Sequence, residues 1–451
     1  MLLLARYVLP VSSEHIENGA VYVKDGRIAD IGYATKLKSL YPDEPTLDFG
    51  LSVIMPGFVD AHSHLEYTCM RGLINDVPYA PWKFLLNEKE QVLSPADWED
   101  SALLGALETV RSGITTIADI TSTGASLRAA QAVGLRGIFY REVGTMEKAE
   151  VDSALEAAYA DIAAWRSGAN PEYQRIGISP EALYTCHPLV FQHISEYAAD
   201  GTPVAVHLAG SQEEYEFIRY GSSPFSVHST EQERGYGIDM PPWLATGVSP
   251  VRYILNWGIL DVPNILAIHC VHVDDEDIEF LEEADVAVAV CTRCNAQLGM
   301  GVAPVTKFLK AGLRVGLGTD SPAATETINP IGEMELTLLM QRALNKRASF
   351  LTASQMINLA TLGAAKALGV DDQVGSLEVG KCADIIALDL SNSSQAPTHD
   401  PNSAVVHTTG PANILMTMVG GEILYNGHHL HSVDVKRVFA RTEEMRLKLR
   451  A

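Results

Sequence analysis

Residues 52–64 read SVIMPGFVDAHSH, an apolar run that ends in two histidines separated by one serine. A short run of large and branched apolar residues is typical of a buried β-strand. Because alternate residues of a strand point to the same side, we expect His62 and His64 to project in the same direction. The stretch therefore predicts a buried strand whose end presents two imidazoles together.

Seven further apolar runs follow along the chain, and helical patterns lie between most of them. The runs are GITTIADI (113–120), LRGIFYREV (135–143), RIGISPEA (175–182), PVAVHLA (203–209), NILAIHC (264–270), VAVAVCT (286–292) and RVGLGTD (314–320). One intervening helix is predicted from Ser94 to Ser112, with Ser94-Pro95 as its start signal and Gly113 as its stop. Strands that are apolar on both faces and alternate with helices are typical of a parallel sheet. Eight such units predict an α/β fold, a (β/α)8 TIM barrel.

Both ends of the chain carry a different, β-rich pattern. Residues 19–32, GAVYVKDGRIADIG, are two short β-type runs joined by Asp25-Gly26, a strong hairpin signal. Similar short runs punctuated by glycine and asparagine return after residue 375, and the simplest arrangement pairs the two ends with each other. The predicted domains are a discontinuous β-sandwich of residues 1–55 and 371–451, and a catalytic barrel of residues 56–370.

The composition is that of an ordinary globular protein with a strong negative charge. The formal net charge is −23 and the isoelectric point is about 5.0, which argues against nucleic acid or an anionic membrane as a partner. The first ten residues, MLLLARYVLP, hold too short an apolar run for a signal sequence, and no run approaches about 18 apolar residues. We therefore expect a cytoplasmic protein whose six cysteines are reduced.

The residues that end the predicted strands form a chemically consistent set. They are His62, His64, His207, His269 and Asp320, and in a TIM barrel the carboxyl ends of all strands meet at one rim. A single histidine is more often a hydrogen-bonded core residue than a ligand. Several imidazoles and one carboxylate at the same rim are donors that suit Zn²⁺ or Fe²⁺. The pattern predicts a site for one divalent metal, with Zn²⁺ favoured and Fe²⁺ as the alternative.

Five stretches along the chain resemble the amidohydrolase superfamily. They are PGFVDAHSH (56–64), HLA (207–209), AIHC (267–270), VGLGTDS (315–321) and VGSLEVGKCADIIALDL (374–390). Within the superfamily, the chain is similar to the branch of cytosine deaminase, methylthioadenosine/S-adenosylhomocysteine deaminase and the triazine chlorohydrolases. The resemblance covers nearly the whole chain, and the ordered set of strand-end motifs is far more specific than the His-x-His motif alone.

The resemblance implies roles for the residues at the strand ends. It implies His62, His64, His207 and Asp320 as ligands of one divalent metal, and His269 as the residue that hydrogen-bonds the attacking water or the developing oxyanion. A bound cation lowers the pKa of its water from 15.7 to roughly 7, so that hydroxide is available at neutral pH. We then expect Asp320 to bind the metal and to accept the water proton, as a catalytic residue together with His269.

The chain departs from the deaminases of this branch at Gly210. In those enzymes a glutamate three residues after the histidine of the fifth strand protonates the substrate ring and helps ammonia to leave, but HLAGSQEEYEF (207–217) has glycine there. General acid–base catalysis contributes roughly 10²–10⁴ in rate. Either another acid (Glu66, Glu213 or Glu214) replaces it, or the leaving group needs less protonation, or the chain is a poor catalyst. We interpret Glu213 and Glu214 as the start of a solvated helix.

Three residues are candidates for contacts with the substrate. Glu66 lies two residues after His64 and is expected to point to the same side if the strand geometry continues. Glu181, in SPEALYTC (179–186), stands where relatives that act on adenine nucleosides often have a histidine. A carboxylate accepts hydrogen bonds and therefore suits a base edge that carries an N–H group. Trp82 follows the first predicted barrel strand, where relatives place a loop over the substrate.

These observations predict a metal-dependent hydrolase that deaminates a small aminated N-heterocycle: a purine, pyrimidine, pteridine or related nucleoside. One alternative keeps the site and changes the leaving group, so that the enzyme is a dehalogenase or dealkylaminase of triazine-like rings, an option that Gly210 favours. Another is a non-catalytic scaffold, against which the full set of ligands argues. Homo-oligomers are frequent among relatives, and nothing in the sequence determines the number of subunits.

Overall fold

Strands are distributed along the whole chain. The computed structural model describes residues 1–226, 245–428 and 433–450. In chain order the strands are β1 (Leu2–Val8), β2 (Ile16–Lys24), β3 (Arg27–Tyr33), β4 (Thr46–Asp48), β5 (Ser52–Pro56), β6 (Phe58–Ser63), β7 (Ile114–Thr121), β8 (Arg136–Val143), β9 (Gln174–Pro180), β10 (Val204–Leu208), β11 (Ile265–His269), β12 (Ala287–Val290), β13 (Val315–Leu317), β14 (Ile385–Asp389), β15 (Ile414–Val419) and β16 (Glu422–Tyr425).

Helices lie between most of these strands. In the described residues the α-helices are α1 (Ala34–Leu40), α2 (Tyr79–Glu90), α3 (Pro95–Arg111), α4 (Ala125–Val133), α5 (Val151–Gly168), α6 (Pro188–Tyr197), α7 (Gln212–Tyr220), α8 (Pro250–Leu255), α9 (Asp275–Glu283), α10 (Thr292–Gln297), α11 (Val305–Ala311), α12 (Pro322–Thr325), α13 (Pro330–Asn345), α14 (Ala353–Leu359), α15 (Leu362–Ala367), α16 (Pro401–Thr408) and α17 (Val435–Arg450). The predicted helix from Ser94 corresponds to α3, whose first turn is closed by reciprocal hydrogen bonds between Ser94 and Asp97. None of the described helices combines the length and the apolar character that crossing a lipid bilayer requires.

Strands β6 to β13 form a parallel sheet in which each strand pairs with the next one in chain order. The first and last strands also approach each other, since the backbone N–H of Asp320 donates to the carbonyl of His62 at 2.9 Å. Every residue of β6, β7, β11, β12 and β13 is buried, as expected for strands covered by helices outside and filled by side chains inside. The predicted (β/α)8 barrel is confirmed.

The opening run of residues 52–62 is not one strand, as the sequence suggests, but two strands in different sheets. Gly57 separates β5 from β6, and a Cβ atom at this position would collide with the side chain of Thr115. Immediately afterwards, the backbone N–H of Phe58 donates to the carbonyl of Gly113 at 2.9 Å and joins the barrel. The chain therefore crosses between the sheets at a residue that has no side chain.

The second sheet uses strands from both ends of the chain, in the order β16-β15-β14-β5-β1-β2-β3, with β4 paired to β1. The N-terminal and C-terminal parts meet where β5 and β14 run antiparallel, with Ile54 opposite Ala387. Apolar residues of both parts, such as Leu3, Val21 and Met416, share one buried cluster. A second β-unit built from both chain ends is thus confirmed, while its predicted residue boundaries stay a prediction.

Candidate active site

Five side chains from four strand ends meet at one rim of the barrel. His62 and His64 come from the end of β6, His207 from β10, His269 from β11, and Asp320 follows β13. The donor atoms of His62, His64 and His207 lie within 4.8 Å of one another, and so do those of His62, His269 and Asp320. Because His62 belongs to both groups, the five residues form one cluster.

The spacing within this cluster fits a tetrahedral metal ion. The Nε2 atoms of His64 and His207 are 3.4 Å apart, and Nε2 of His62 is 3.7 Å from Oδ1 of Asp320. Two nitrogens bound to one Zn²⁺ at about 2.0–2.1 Å in tetrahedral geometry are about 3.4 Å apart. In addition, Nε2 of His62 is buried without a hydrogen-bond partner among the described residues. An unpaired buried nitrogen is costly, and a metal ion at this point would satisfy it.

Burial determines the charge of the cluster. It lowers the pKa of His64 to about 4 and that of His207 to about 3, and it also holds the pKa values of His62 and His269 below their usual range. The imidazoles are therefore neutral at pH 7 and keep the lone pairs that a metal needs. Burial alone raises the pKa of Asp320, but attraction to the imidazoles in their protonated form, to His62 above all, outweighs it, so this pKa is lowered and the carboxyl is ionised at pH 7.

Hydrogen bonds on the far side of two rings determine which nitrogen faces the cluster. Nδ1 of His207 donates to the backbone carbonyl of Glu181 at 2.6 Å, and Nδ1 of His269 donates to Oδ1 of Asn295 at 2.9 Å. A ring that donates through Nδ1 keeps its lone pair at Nε2. Both rings therefore present an acceptor nitrogen to the centre of the cluster.

The backbone is strained at three of these strand ends. Ala209, His269 and Asp320 have φ angles of +51°, +73° and +60°, in the left-handed region that residues other than glycine rarely adopt. Such conformations cost about 1–3 kcal/mol each and are concentrated at functional sites, where the surrounding structure maintains them. The strained residues therefore lie at the same rim of the barrel as the donor cluster.

The cluster opens into a cavity, which we call the inner cavity, and two of the predicted substrate contacts line it. Trp82 is 6% exposed, and its indole Nε1–H is buried without a partner among the described residues. Glu181 also lines the cavity, with its Oε1 atom 2.8 Å from Nζ of Lys83. A buried indole and a carboxylate-bearing side chain thus line the same cavity as the donor cluster.

Glu66, the third predicted substrate contact, does not line the inner cavity. The strand ends at Ser63, and the 3₁₀ turn Leu65–Met70 then rotates the side chain away from the direction that strand alternation predicts. The buried carboxylate accepts hydrogen bonds from the loop of residues 121–125, including the backbone N–H of Ala125 at 3.0 Å. The structure therefore corrects the predicted orientation of Glu66: this side chain holds the loop after β7.

Glu214 also differs from the sequence interpretation, and Gly210, which donates a hydrogen bond to it, has little free space around it. Glu214 is not solvated: it is 2% exposed and accepts the backbone N–H groups of Ala209 and Gly210, both at 2.9 Å. Burial raises the pKa of Glu214 to about 7. At Gly210, an added Cβ atom would lie 3.1 Å from Cδ2 of His269 and 3.1 Å from Cε of Met300. The methionine thus occupies space that a longer side chain would need.

Two charged residues of the inner cavity were not found by sequence reasoning. Glu142 lies near the end of β8, so the strand-end rule that selects the histidines also applies to it. Lys83 follows Trp82 in α2 and has no comparable signal in the sequence. Burial first, and then the nearby Glu181 carboxylate, raise the pKa of Glu142 to about 7. The cavity therefore contains two carboxyl groups and one ammonium group in addition to the donor cluster.

Comparison with known proteins places the chain in a family. The sequence matches the Amidohydrolase family over residues 53–424, most of its length. A 5-methylthioadenosine/S-adenosylhomocysteine deaminase of Thermoanaerobacter pseudethanolicus is 30% identical over 436 residues, which cover 95% of this chain and 94% of that protein.

Two solved structures share the fold. An adenosine deaminase from Xanthomonas campestris with bound zinc has a TM-score of 0.86 at 22% identity, covering 100% of this chain and 98% of that one. An atrazine chlorohydrolase from Arthrobacter aurescens complexed with zinc has a TM-score of 0.81 at 23% identity, covering 98% of this chain and 99% of that one.

The family match and the full-length relative agree with the motifs at the strand ends. They confirm the prediction of a hydrolytic enzyme that acts on carbon–nitrogen bonds. The geometry of the donor cluster also shows that the barrel rim could hold a metal ion. The chain belongs to the amidohydrolase family.

Proposed function

We propose that the protein deaminates a small aminated N-heterocycle by metal-dependent hydrolysis, with Zn²⁺ as the favoured metal. The observation that carries the proposal is the convergence of neutral imidazoles and one ionised carboxylate at a single rim of the barrel. The relative named as a deaminase of 5-methylthioadenosine and S-adenosylhomocysteine supports an amine as the leaving group. Adenine derivatives are therefore the first substrates to test, and a cytoplasmic location stays a prediction from the composition.

The chain provides the groups that this reaction needs around the attacking water. The residues that would hold the metal are His62, His64, His207 and Asp320. A bound divalent cation lowers the pKa of a coordinated water from 15.7 to roughly 7 and so supplies a nucleophile at neutral pH. Oδ2 of Asp320 would accept the proton that the water loses, and Nε2 of His269, 3.9 Å from that oxygen, would orient the same water by accepting a hydrogen bond.

Two side chains of the inner cavity would position the ring. The indole N–H of Trp82 would donate to a ring nitrogen, which gives this buried donor the partner that it lacks among the described residues. Glu181 would accept from an N–H group of the ring or of its amine, since a carboxylate only accepts hydrogen bonds. A planar heterocycle that carries both acceptor and donor atoms fits this pair.

The experiment is a screen of aminated purines, pyrimidines, pteridines and triazines, including 5-methylthioadenosine, with the zinc-loaded protein and ammonia as the readout. We expect ammonia from at least one ring system. The Asp320→Asn variant should lower its release by about 10²-fold or more, because a proton acceptor is lost together with a ligand charge. If a correctly folded, zinc-loaded protein released no ammonia from any of these rings, deamination would be the wrong reaction.

Gly210 favours a second candidate, the hydrolysis of a ring substituent that leaves without protonation. Chloride is such a group, and the inner cavity has no side chain at the position where the deaminases carry an acid. A chlorinated triazine, assayed for chloride in parallel with ammonia from its amino analogue, separates the two reactions. A protein without bound metal and without affinity for Zn²⁺ would instead support the non-catalytic scaffold.

A further inference from the structure

Four residues form a wall between the inner cavity and a second cavity that adjoins it. This outer cavity extends past Glu90 and Arg141. The residues that line both cavities are Tyr67, Lys83, Glu142 and Glu181. If the ring of a substrate occupies the inner cavity, a substituent that points away from the metal site would lie next to these four side chains.

The charged groups of this wall are not balanced. Lys83 pairs with Glu181 at 2.8 Å, and both side chains are largely buried, at 15% and 23% exposure. Glu142 accepts a hydrogen bond from the hydroxyl of Ser122 at 2.7 Å and has no ion pair among the described residues. One ammonium group thus serves two carboxyl groups, and of the two only Glu181 lies within ion-pair distance of it.

The other cation that lines the outer cavity does not correct this imbalance. Arg141, which lines the outer cavity, is 2.8 Å from Asp161 and is already neutralised there. Glu90 adds a further carboxylate to the outer cavity and accepts a hydrogen bond from the Tyr67 hydroxyl at 3.0 Å. The residues around this shared wall are therefore predominantly acidic.

We propose that Glu142, Glu181 and Lys83 form a specificity element, the acidic wall, that selects heterocycles carrying a protonated amine on the substituent remote from the metal. A cation placed there would pair with Glu142 and favour its ionised form, whereas a neutral substituent would give this carboxyl group no ion-pair partner. An anionic substituent would meet two carboxyl groups and only one ammonium group, which is already paired with Glu181, so it would be disfavoured. The inference deepens the proposed function, on which it rests for the orientation of the ring.

Two nucleosides with the same ring test the acidic wall. 5′-Amino-5′-deoxyadenosine carries a protonated amine at neutral pH, and 5′-deoxyadenosine does not. We expect the zinc-loaded protein to bind the amine about tenfold more tightly in calorimetric titrations, since hydrogen bonds to charged groups are strong when both partners are desolvated. Equal affinities, or no measurable binding of either nucleoside, would overturn the proposal.

Two variants with opposite expected effects separate charge from structure. Glu142→Gln keeps the acceptor for Ser122 and should bring the two affinities close to equality. Lys83→Met removes the competing cation and should increase the preference for the amine. The controls, Glu88→Gln and Lys89→Met on helix α2, which also carries Lys83, change residues that do not line either cavity and should leave the preference unchanged. A preference that survives Glu142→Gln would also overturn the acidic wall.

Measuring ammonia release from the same two nucleosides distinguishes two outcomes: the acidic wall is wrong, or the proposed deamination is wrong. A preference for the amine without any ammonia would overturn the deamination of adenines and leave the acidic wall standing. Ammonia released from both nucleosides with equal kcat/KM would support the deamination of adenines and overturn the acidic wall.

Discussion

Gly210 shows how one residue changes the chemistry that this site supports. Its backbone N–H bonds the Glu214 carboxylate, and its missing side chain leaves room that the Met300 methyl group fills. Methionine is unbranched and flexible, so its terminal methyl can move more easily than the imidazole of His269. A restored acid at this position would therefore displace the Met300 methyl group first, and its Cβ atom would still lie 3.1 Å from Cδ2 of His269.

We expect the double variant Gly210→Glu/Met300→Ala to release ammonia at least about tenfold faster than the native protein, because a well-placed general acid contributes roughly 10²–10⁴ in rate. Gly210→Glu alone should show a smaller gain, since the new Cβ atom would lie 3.1 Å from Met300. The measurement is kcat for ammonia release, with Met300→Ala as the control. An unchanged rate in the double variant would mean that another group already protonates the substrate.

Glu214 makes stability depend on pH. Its pKa is raised by burial from 4.5 to about 7 in the folded protein, so the folded state retains a proton that the unfolded state releases. The stabilisation is fully present below pH 4.5 and is lost as the pH rises to about 7.

Glu214→Gln cannot ionise, so it should escape this pH-dependent loss of stability. From pH 5 to pH 8 its free energy of unfolding should therefore rise by about 2–3 kcal/mol relative to that of the native protein, since one pKa unit corresponds to about 1.4 kcal/mol. Urea unfolding at both pH values checks this, with Glu213→Gln as the matched control. A difference between Glu214→Gln and the native protein that is the same at both pH values would contradict the assignment.

At the scale of elements, the decisive contact is the closure of the barrel between β6 and β13. The buried carboxylate of Asp60 accepts the backbone N–H of Thr319 at 2.8 Å and also the Thr319 hydroxyl. Burial raises the pKa of Asp60 to about 7. Since Asp60 and Thr319 lie next to His62 and Asp320 in the chain, the contact aligns two strand ends of the donor cluster.

Thr319→Val removes the hydroxyl with little change in shape. We expect it to lower the free energy of unfolding by about 1–3 kcal/mol, because a buried carboxylate loses a hydrogen bond. Zinc affinity, measured by competition with a chelator, should fall by about tenfold, as is typical when a group that orients ligands is lost. Thr306→Val, at a buried threonine away from the cluster, is the control and should leave zinc affinity unchanged.

At the scale of the whole molecule, one buried ion pair joins the barrel to the sheet made from the chain ends. Nε of Arg136, on β8, is 2.9 Å from Oδ2 of Asp384, and its NH2 group is 3.2 Å from Oδ1. Asp384 also accepts the backbone N–H of Gly420 at 2.8 Å. The two units are therefore connected by a bidentate contact that is nearly excluded from solvent.

Arg136→Met should lower the free energy of unfolding by about 3–5 kcal/mol, because it leaves the Asp384 carboxylate buried without its partner. The double variant Arg136→Met/Asp384→Leu should recover a large part of this loss, since no charge then remains uncompensated. Denaturant unfolding measures both. The exposed pair Arg6–Glu17 is the comparison, and Arg6→Met should cost less than about 1 kcal/mol. A similar loss in both single variants would mean that burial of the pair contributes nothing.

The sequence predicts the barrel well because a strand that is buried on both faces is apolar along its whole length. This pattern is visible in a few consecutive residues. It fails at residues 52–62, where one continuous run supplies two sheets and the crossing at Gly57 depends on Thr115, far away in the chain. It also fails at Glu214, because the helix start is visible in the sequence but the N–H groups that receive the carboxylate are not.

The amino-acid sequence by itself determined the (β/α)8 class, the second β-unit and the set of donors at the strand ends, because strand periodicity and the common rim of a barrel follow from backbone geometry. Only the tertiary structure decided which acids line the cavity beside the donor cluster. Glu66 and Glu142 both lie close to strand ends, but the loop after β7 surrounds the carboxylate of the first with several donors, while the second accepts only the Ser122 hydroxyl from that loop and lines both cavities. The two carboxyl groups differ because segments distant in the chain place different hydrogen-bond donors around them. No local sequence pattern predicts where those donors lie.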